Sequence, residues 1–392
     1  MNGISFRRLD WAMLGTIFML IGLSAAFIYS AQFKSYDDPV GTHYLKQLLF
    51  AAMGFCAYGV MVWYDYKIMA RFSWWIYGGT IALLVLVFLF PTVNGSHRWI
   101  PLPGFTLQPS ELAKISVVIA LSAYLAAPDR DVADWKTFYG CAAIVGLPFL
   151  LIMAEPDLST SLTLVPISLA IMLLVGVKRK LLLIGLASVG VLAAVACGWI
   201  KYETTPEIDK MPAAERPAVV LPHMPFLEGY QKGRIKVFLT QDYDLADAGW
   251  NKLQSQIAVG SGGLHGKGYL QGTQNILGFL PRTVAPTDFI FCVIAEETGF
   301  LGGGGFLLLY TVLLGRCMWA AGRSHDEFGR LLALGISVMV FCHVFINIAM
   351  TIGVLPITGL PLPLMSYGGS FMVSTMIALG LVQSVYLRRR RR

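Results

Sequence analysis

The sequence predicts an all-α polytopic membrane protein of about ten transmembrane helices with one long extracytoplasmic loop. Three observations carry this prediction. The 392 residues are 56% hydrophobic and only 14% charged, too apolar for an ordinary soluble domain. Ten stretches approach the roughly 20 apolar residues a helix needs to cross a bilayer: 11–31, 45–63, 74–90, 111–127, 138–154, 161–177, 181–200, 288–315, 330–350 and 371–387. These runs are continuously apolar rather than alternating, which selects helices over a barrel. Residues 1–392 therefore read as a single integral membrane domain, with 201–287 as a loop between the seventh and eighth spans and not a separate domain.

The formal net charge of +7 raises the question of nucleic acid, and the placement of the charges answers it. Arg7, Arg8, Lys67, Arg71, Arg130, Lys136, Lys178 to Lys180, Arg316, Arg323, Arg330 and Arg388 to Arg392 fall on one side of a ten-span arrangement. The opposite short loops carry little beyond Lys34 and Arg98, so both termini are expected on the cytoplasmic side. The basic surplus is a topology and lipid-surface signal, and no nucleic-acid partner is expected. Cys56, Cys141, Cys197, Cys292, Cys317 and Cys342 lie in or beside apolar runs without CxxC spacing. They read as small buried hydrophobes rather than a disulfide framework or zinc site. The first run has no A-x-A cleavage signal and reads as a retained helix, anchored by Arg7, Arg8 and the interfacial Trp11.

Taken in order, the polar residues that interrupt this pattern mark the outer side. Between Pro91 and Lys114 an outer loop leads into the fourth span, with Pro109 at its start and Ser110 and Glu111 in its first turn. Glu111 and Lys114 are three apart, on one helix face, where they can pair. A lysine inside a membrane costs at least about 2.5 kcal/mol unless paired or wetted, which points to a polar cavity. Residues 154–161 form a tight outer connection holding Glu155 and Asp157, either solvated, capping the sixth helix, or facing a cation or substrate. The first half of the 201–287 loop is proline-rich and without period; Tyr230 to Leu239 interleaves Lys232, Arg234 and Lys236 with apolar residues, which suits a basic segment on a membrane surface or strand-like against the body as well as it suits a solvated loop.

The chain's polar focus is residues 254–297, where a glycine-rich loop carrying Lys267 runs into an apolar helix with Asp288 near its start. Gly260, Gly262, Gly263, Gly266, Gly268 and Gly272 suit close approach of a phosphate-bearing ligand, although the nucleotide P-loop spacing is absent. The plainer reading is a flexible connector with one capping acid. On a helix, Asp288, Ala295 and Glu296 share a face. His343 and Asn347, four apart in the ninth span, read as buried hydrogen-bonding groups, and residues 351–370 as a proline- and glycine-punctuated re-entrant or outer segment.

Several stretches together resemble the SEDS family of bacterial cell-wall proteins (shape, elongation, division and sporulation). They are Arg98-Trp99-Ile100; Gln108-Pro109-Ser110-Glu111 with Lys114; Glu155-Pro156-Asp157-Leu158; Tyr230-Gln231 with Arg234-Ile235; Gln254-Ser255 through Gly268; Thr287-Asp288-Phe289-Ile290-Phe291 with Glu296-Glu297; and Gly359-Leu360-Pro361-Leu362-Pro363 with Ser366-Tyr367-Gly368-Gly369. The short amino-terminal tail and Gly-Thr-Gln at 272 to 274 are closer to the elongation branch than to the division branch. Two departures stand out: the segment Pro281 to Thr287 lacks the family's usual acid and histidine and carries Arg282, and Ser159 replaces a glycine.

The resemblance implies a peptidoglycan glycosyltransferase that polymerises lipid II at the outer face of the bacterial cytoplasmic membrane during elongation. It implies Asp288 as the essential acid, an undecaprenyl-pyrophosphate-linked glycan as bound substrate, and a class B penicillin-binding protein and the elongation machinery as partners. With the residue reading it nominates Arg98, Glu111, Lys114, Glu155, Asp157, Lys267 and Ser366 for substrate binding. A divalent cation, magnesium or manganese, stays open with its ligands unassigned, and no organic cofactor is called for. The competing functions are a lipid-linked precursor flippase, which needs a polar path from groups such as Glu111, Lys114, Glu297, His343 and Asn347, and a non-catalytic scaffold.

Overall fold

The computed structural model describes residues 8–35, 40–91, 96–178, 248–281 and 283–389, together with positions 180, 182–187, 190, 234 and 238. Nine of the ten expected spans have a helix at their position. They are α1 (Trp11–Gln32), α2 (His43–Trp63), α4 (Ser73–Leu86), α5 (Pro109–Leu125), α6 (Trp135–Ala154), α7 (Leu158–Val175), α10 (Ile290–Gly322), α11 (Glu327–Thr351) and α12 (Gly369–Leu387). Short helices α3 (Tyr66–Arg71), α8 (Ala248–Ser261) and α9 (Thr273–Ile276) complete the described set. The expected span 181–200, most of the loop before 248, Arg282 and Cys197 lie largely or wholly outside the described residues.

Seven of these helices are long and apolar enough to cross a membrane, α4 belongs to a shorter apolar helix at a further expected position, and the 17-residue α5 lies at another. Because the spans are apolar all round, periodicity cannot say which face lipid and which face protein. Packing does. The apolar stretches of α12 and α11 are 83% and 72% buried inside the protein against 28% for α6, so the last two helices form the centre and α6 the rim. α12 packs on α2, α10 on α1 and α11, and α4 on α5. Cys56, expected to be buried, sits exposed on α2, because an apolar side chain on a lipid-facing surface needs no protein cover.

Local chemistry sets the ends. Asp10 caps α1 by accepting from the Met13 amide at 3.1 Å, while its other oxygen accepts from Arg316 Nε at 2.7 Å. Pro109 occupies the first turn of α5, and Asp157 caps α7 through the Thr160 amide at 3.2 Å. The loop before α5 adds a small hairpin, β1 (Ile100–Leu102) with β2 (Phe105–Leu107), turned by Gly104 at φ +88°.

Two expectations in the polar focus are corrected. Residues 248–261 form helix α8 rather than loop, since no glycine interrupts residues 250–259. The eighth span starts at Ile290, not 288: the amides of Asp288 and Phe289 both turn back to the Val284 carbonyl at 3.0 and 3.1 Å, so 283–289 is a coil of turns. Asp288 is therefore not on the helix, and the face shared with Ala295 and Glu296 does not form.

The glycines have a structural use. α10 is broken at Gly299, φ +66°, and the glycine-rich loop docks into the break. Lys267 and Gly268 amides donate to the Glu296 and Glu297 carbonyls at 3.0 and 2.9 Å, and the Phe300 and Leu301 amides donate to the Gly263 and Leu264 carbonyls at 2.8 and 3.1 Å. The backbone groups freed by the break are thereby paired in a region where an unpaired one is costly. A Cβ at Gly262 or Gly266 would collide with the α10 backbone.

Candidate active site

Asp288 is held from below by the segment between α11 and α12. Asn347 Nδ2 donates to the Asp288 carbonyl at 2.9 Å and to the Leu360 carbonyl at 2.7 Å. Ser366 Oγ donates to the Thr287 carbonyl at 2.5 Å and accepts from the Leu362 amide at 2.7 Å, and the Tyr367 amide donates to the Pro286 carbonyl at 2.8 Å. From the other side, Gln47 Nε2 donates to the Ser366 carbonyl at 3.0 Å and Ser24 Oγ to the Met365 carbonyl at 2.7 Å. Non-helical backbone at this depth is thus fully supported by α1, α2 and α11. Ser366, nominated for substrate, is buried and fixes the turn that carries Asp288.

The Asp288 carboxylate meets Arg234 over Gly359. A Cβ at Gly359, φ +76°, would stand 3.2 Å from Asp288 Oδ2 and 3.4 Å from Arg234 Nη1, so the glycine leaves room for an acid–base pair. Loss of water around the carboxyl pushes Asp288 up to about 7; Arg234 and a hydrogen bond with Thr287 oppose this, and Asp157 adds to it. The sequence leaves the Arg234 segment open between a membrane surface, the body of the protein and solvent, and does not single out Arg234 for this place. The one signal was its membership of the Tyr230-to-Ile235 motif.

The turn between α6 and α7 supplies the second wall. Asp157 accepts from Thr160 Oγ1 at 2.8 Å and Gln108 Nε2 at 3.1 Å, and Ser159 Oγ donates to the Thr358 carbonyl at 2.5 Å, next to Gly359. Arg98 donates to the backbone carbonyls of Glu155, at 3.2 Å, and Pro156. Glu155 is wholly buried with neither carboxyl oxygen hydrogen-bonded among the described residues, and burial with Asp157 alongside pushes it to about 9 against the pull of Arg98. Neither acid of the turn is simply solvated.

Within the bundle, Lys114 Nζ lies 2.7 Å from Glu111 Oε2 and 2.8 Å from His343 Nε2, with the Phe371 ring 5.6 Å away. These groups line a cavity of about 10 Å³, room for a single water, together with Pro363, Ser374 and Thr375. Lys267 is placed differently. It pairs with Glu296 at 2.6 Å and Thr273 Oγ1 at 2.6 Å, while Glu297 accepts from Ser30 on α1, and no described contact joins this group to Asp288. The polar groups a flippase path would use are likewise divided: Glu297 faces α1, whereas Glu111, Lys114 and His343 face one another. Among the described residues no three His, Cys, Asp or Glu side chains gather as metal ligands.

This arrangement has close relatives. The profile of the FtsW, RodA and SpoVE proteins, described as cell cycle protein, matches residues 10–391. The chain belongs to the FtsW/RodA/SpoVE family. It is 35% identical to the peptidoglycan glycosyltransferase MrdB of Escherichia coli (strain K12), over 98% of this chain and 95% of that one. It is 32% identical to the peptidoglycan glycosyltransferase RodA of Treponema pallidum (strain Nichols), over 97% and 98%. Among solved structures, a component of a peptidoglycan synthase complex that coordinates polymerization and crosslinking superposes with a TM-score of 0.74 at 25% identity, covering 96% of this chain and 97% of that one. The Thermus thermophilus rod shape determining protein RodA shares the fold with a TM-score of 0.68, 98% of each chain being covered. This FtsW/RodA/SpoVE protein is a multi-pass membrane protein, and burial raises the pKa of both Asp288, beside Arg234, and Glu155, beside Arg98.

Proposed function

We infer that this chain is a peptidoglycan glycosyltransferase that polymerises lipid II into glycan strands during cell elongation, with Asp288 as the general base. The observation that carries the reading is Asp288 itself: a carboxylate beside Arg234 on a turn braced by α11 and the 352–368 segment, with its pKa near 7. A base poised near the working pH is suited to take a proton from a sugar hydroxyl. The acceptor oxygen attacks the donor sugar's anomeric carbon, Asp288 takes its proton, and the bond to the undecaprenyl pyrophosphate breaks on the opposite face. One base and cations at the leaving group suffice for such inversion.

Arg98, Lys114 and Lys267 are the cations proposed for the pyrophosphate. In this state Lys114 is bound to Glu111 and Lys267 to Glu296, so either must exchange its carboxylate for the phosphates. We further propose that Asp288 faces the outside of the bacterial cytoplasmic membrane, that both termini face the cytoplasm, and that a class B penicillin-binding protein crosslinks the product. The similarity to a component of a peptidoglycan synthase complex supports that partnership.

Purified protein given lipid II in detergent should form polymer, and Asp288→Asn should lower the rate by at least about 100-fold while leaving the folded yield unchanged. An Asn variant working at the parental rate would sink the assignment, and absence of polymer from the parent would sink the activity. Orientation is read separately, by a membrane-impermeant thiol reagent that should label a cysteine introduced at 262–272 and not one at 323–327.

A further inference from the structure

At the end of α10 remote from Asp288, three arginines crowd two aromatic rings. Arg316, Arg323 and Arg389 stand 4.5, 5.0 and 5.6 Å from the Trp319 ring, and Arg316 and Arg389 stand 5.7 and 3.7 Å from Tyr386, whose own ring lies 5.1 Å from Trp319. The group joins the last turn of α10 to the last turn of α12, where both spans leave the apolar layer.

The charges do not balance. Asp10 is the carboxylate that reaches the group, and both its oxygens are in use, one on the Met13 amide and one on Arg316 Nε at 2.7 Å. The Arg389 guanidinium donates to the Tyr386 carbonyl at 2.8 Å, a neutral partner, and the Arg323 guanidinium makes no hydrogen bond or ion pair among the described residues. Arg388, next in the chain, turns away to Asp65 at 3.3 Å and to Ser384. Two guanidinium charges thus share one indole with no anion assigned to them. Ring faces hold each cation but do nothing to relieve repulsion between them. An anion between Arg323 and Arg389 would.

We propose that Arg323, Arg389 and the Trp319 face form a binding site for the phosphate of an anionic phospholipid headgroup, with the acyl chains running along α10 and α12. The position decides lipid over a free anion. The arginines lie at the boundary of the apolar layer, where headgroup phosphates are found. An interfacial tryptophan presents its apolar body to the chains and its edge to the headgroup. Paired guanidinium forks match a phosphate's oxygens. Such a lipid would brace α10, which carries the active-site turn at its other end, against α12 at the centre of the bundle. The site stands independently of the glycosyltransferase reading.

The test uses the full chain purified in a neutral detergent, with bound lipid counted by native mass spectrometry after addition of phosphatidylglycerol, phosphatidylcholine or inorganic phosphate. Phosphatidylglycerol should be retained in preference to phosphatidylcholine. Arg323→Gln with Arg389→Gln should lower that retention about 10-fold, and the charge-preserving Arg323→Lys with Arg389→Lys should keep most of it. Arg130→Gln, which removes a guanidinium from over the Tyr124 ring elsewhere, should leave it unchanged. Equal retention of the two lipids, retention untouched by the Gln pair, or full competition by inorganic phosphate at equal concentration would each overturn the proposal. If the Gln pair does not fold, loss of preference in the folded Lys pair relative to the parent overturns it instead.

Discussion

Lys114 Nζ lies 2.8 Å from His343 Nε2, and this contact fixes the state of the histidine. His343 Nδ1 stands 2.9 Å from the Met339 carbonyl, which can only accept, so Nδ1 carries the proton and Nε2 presents its lone pair to the lysine. The buried cation is thus held by a carboxylate, an imidazole and a ring face. Removing the acceptor should matter more than removing the ring. His343→Gln, which retains an acceptor, should polymerise within a few-fold of the parent, whereas His343→Leu should lose about 10- to 100-fold, the worth of a hydrogen bond to a buried charge. Steady-state rates on lipid II check this, and equal rates in the two variants would assign His343 to packing alone.

Asp288 makes the rate pH-dependent with a defined sign. A general base works when deprotonated, so with its pKa raised to about 7 the rate should climb as pH passes through about 7 and level off above it. Arg234 pulls that value down, so Arg234→Gln should move the rise to higher pH. A pH profile of kcat/KM for the two proteins decides the matter; a midpoint unmoved by the substitution separates Arg234 from Asp288.

Glu155 predicts a pH dependence of stability. Its carboxyl holds a proton up to about 9 when folded, against an ordinary value near about 4.3 when unfolded. The folded state therefore binds the extra proton, and the stability this contributes is fully present below about pH 4 and is lost as pH rises toward 9. Glu155→Gln supplies a neutral group at every pH. It should raise the melting temperature more at pH 9 than at pH 5, and an equal shift at both would show that Glu155 is already ionised in the fold.

The docking of the glycine loop into the broken α10 gives a contrast between two glycines of one helix. Gly299→Ala puts a side chain at φ +66° and into the backbone of Gly266, so it should destabilise by at least about 2 kcal/mol. Gly304→Ala, with nothing within 4 Å of the added Cβ and ordinary helical backbone, should be neutral or stabilise by up to about 1 kcal/mol. Thermal unfolding in detergent compares them.

The spans were legible because a bilayer demands unbroken apolar runs, and nine expected positions coincide with helices within a few residues. The pairing of Glu111 with Lys114 was legible from a three-residue spacing. Arg234 and His343 were not legible as site residues, because each meets its partner across more than 50 positions of sequence, where spacing carries no information.

What the sequence determined by itself was therefore what is set by solvent and by neighbours along the chain: the membrane class, the spans, and the cap that Asp157 offers to the helix after it. Only the tertiary structure decided which of those charges meet. Lys267, placed by sequence among the ligand-facing cations, is drawn to Glu296 because the break at Gly299 opens the carbonyls onto which its loop docks. Asp288, expected on a helix, is released into a turn because the 352–368 segment claims the carbonyls of residues 286 and 287 and Asn347 of α11 claims that of 288. Those are contests between distant backbone groups for the same hydrogen bonds, and nothing local to either segment could have settled them.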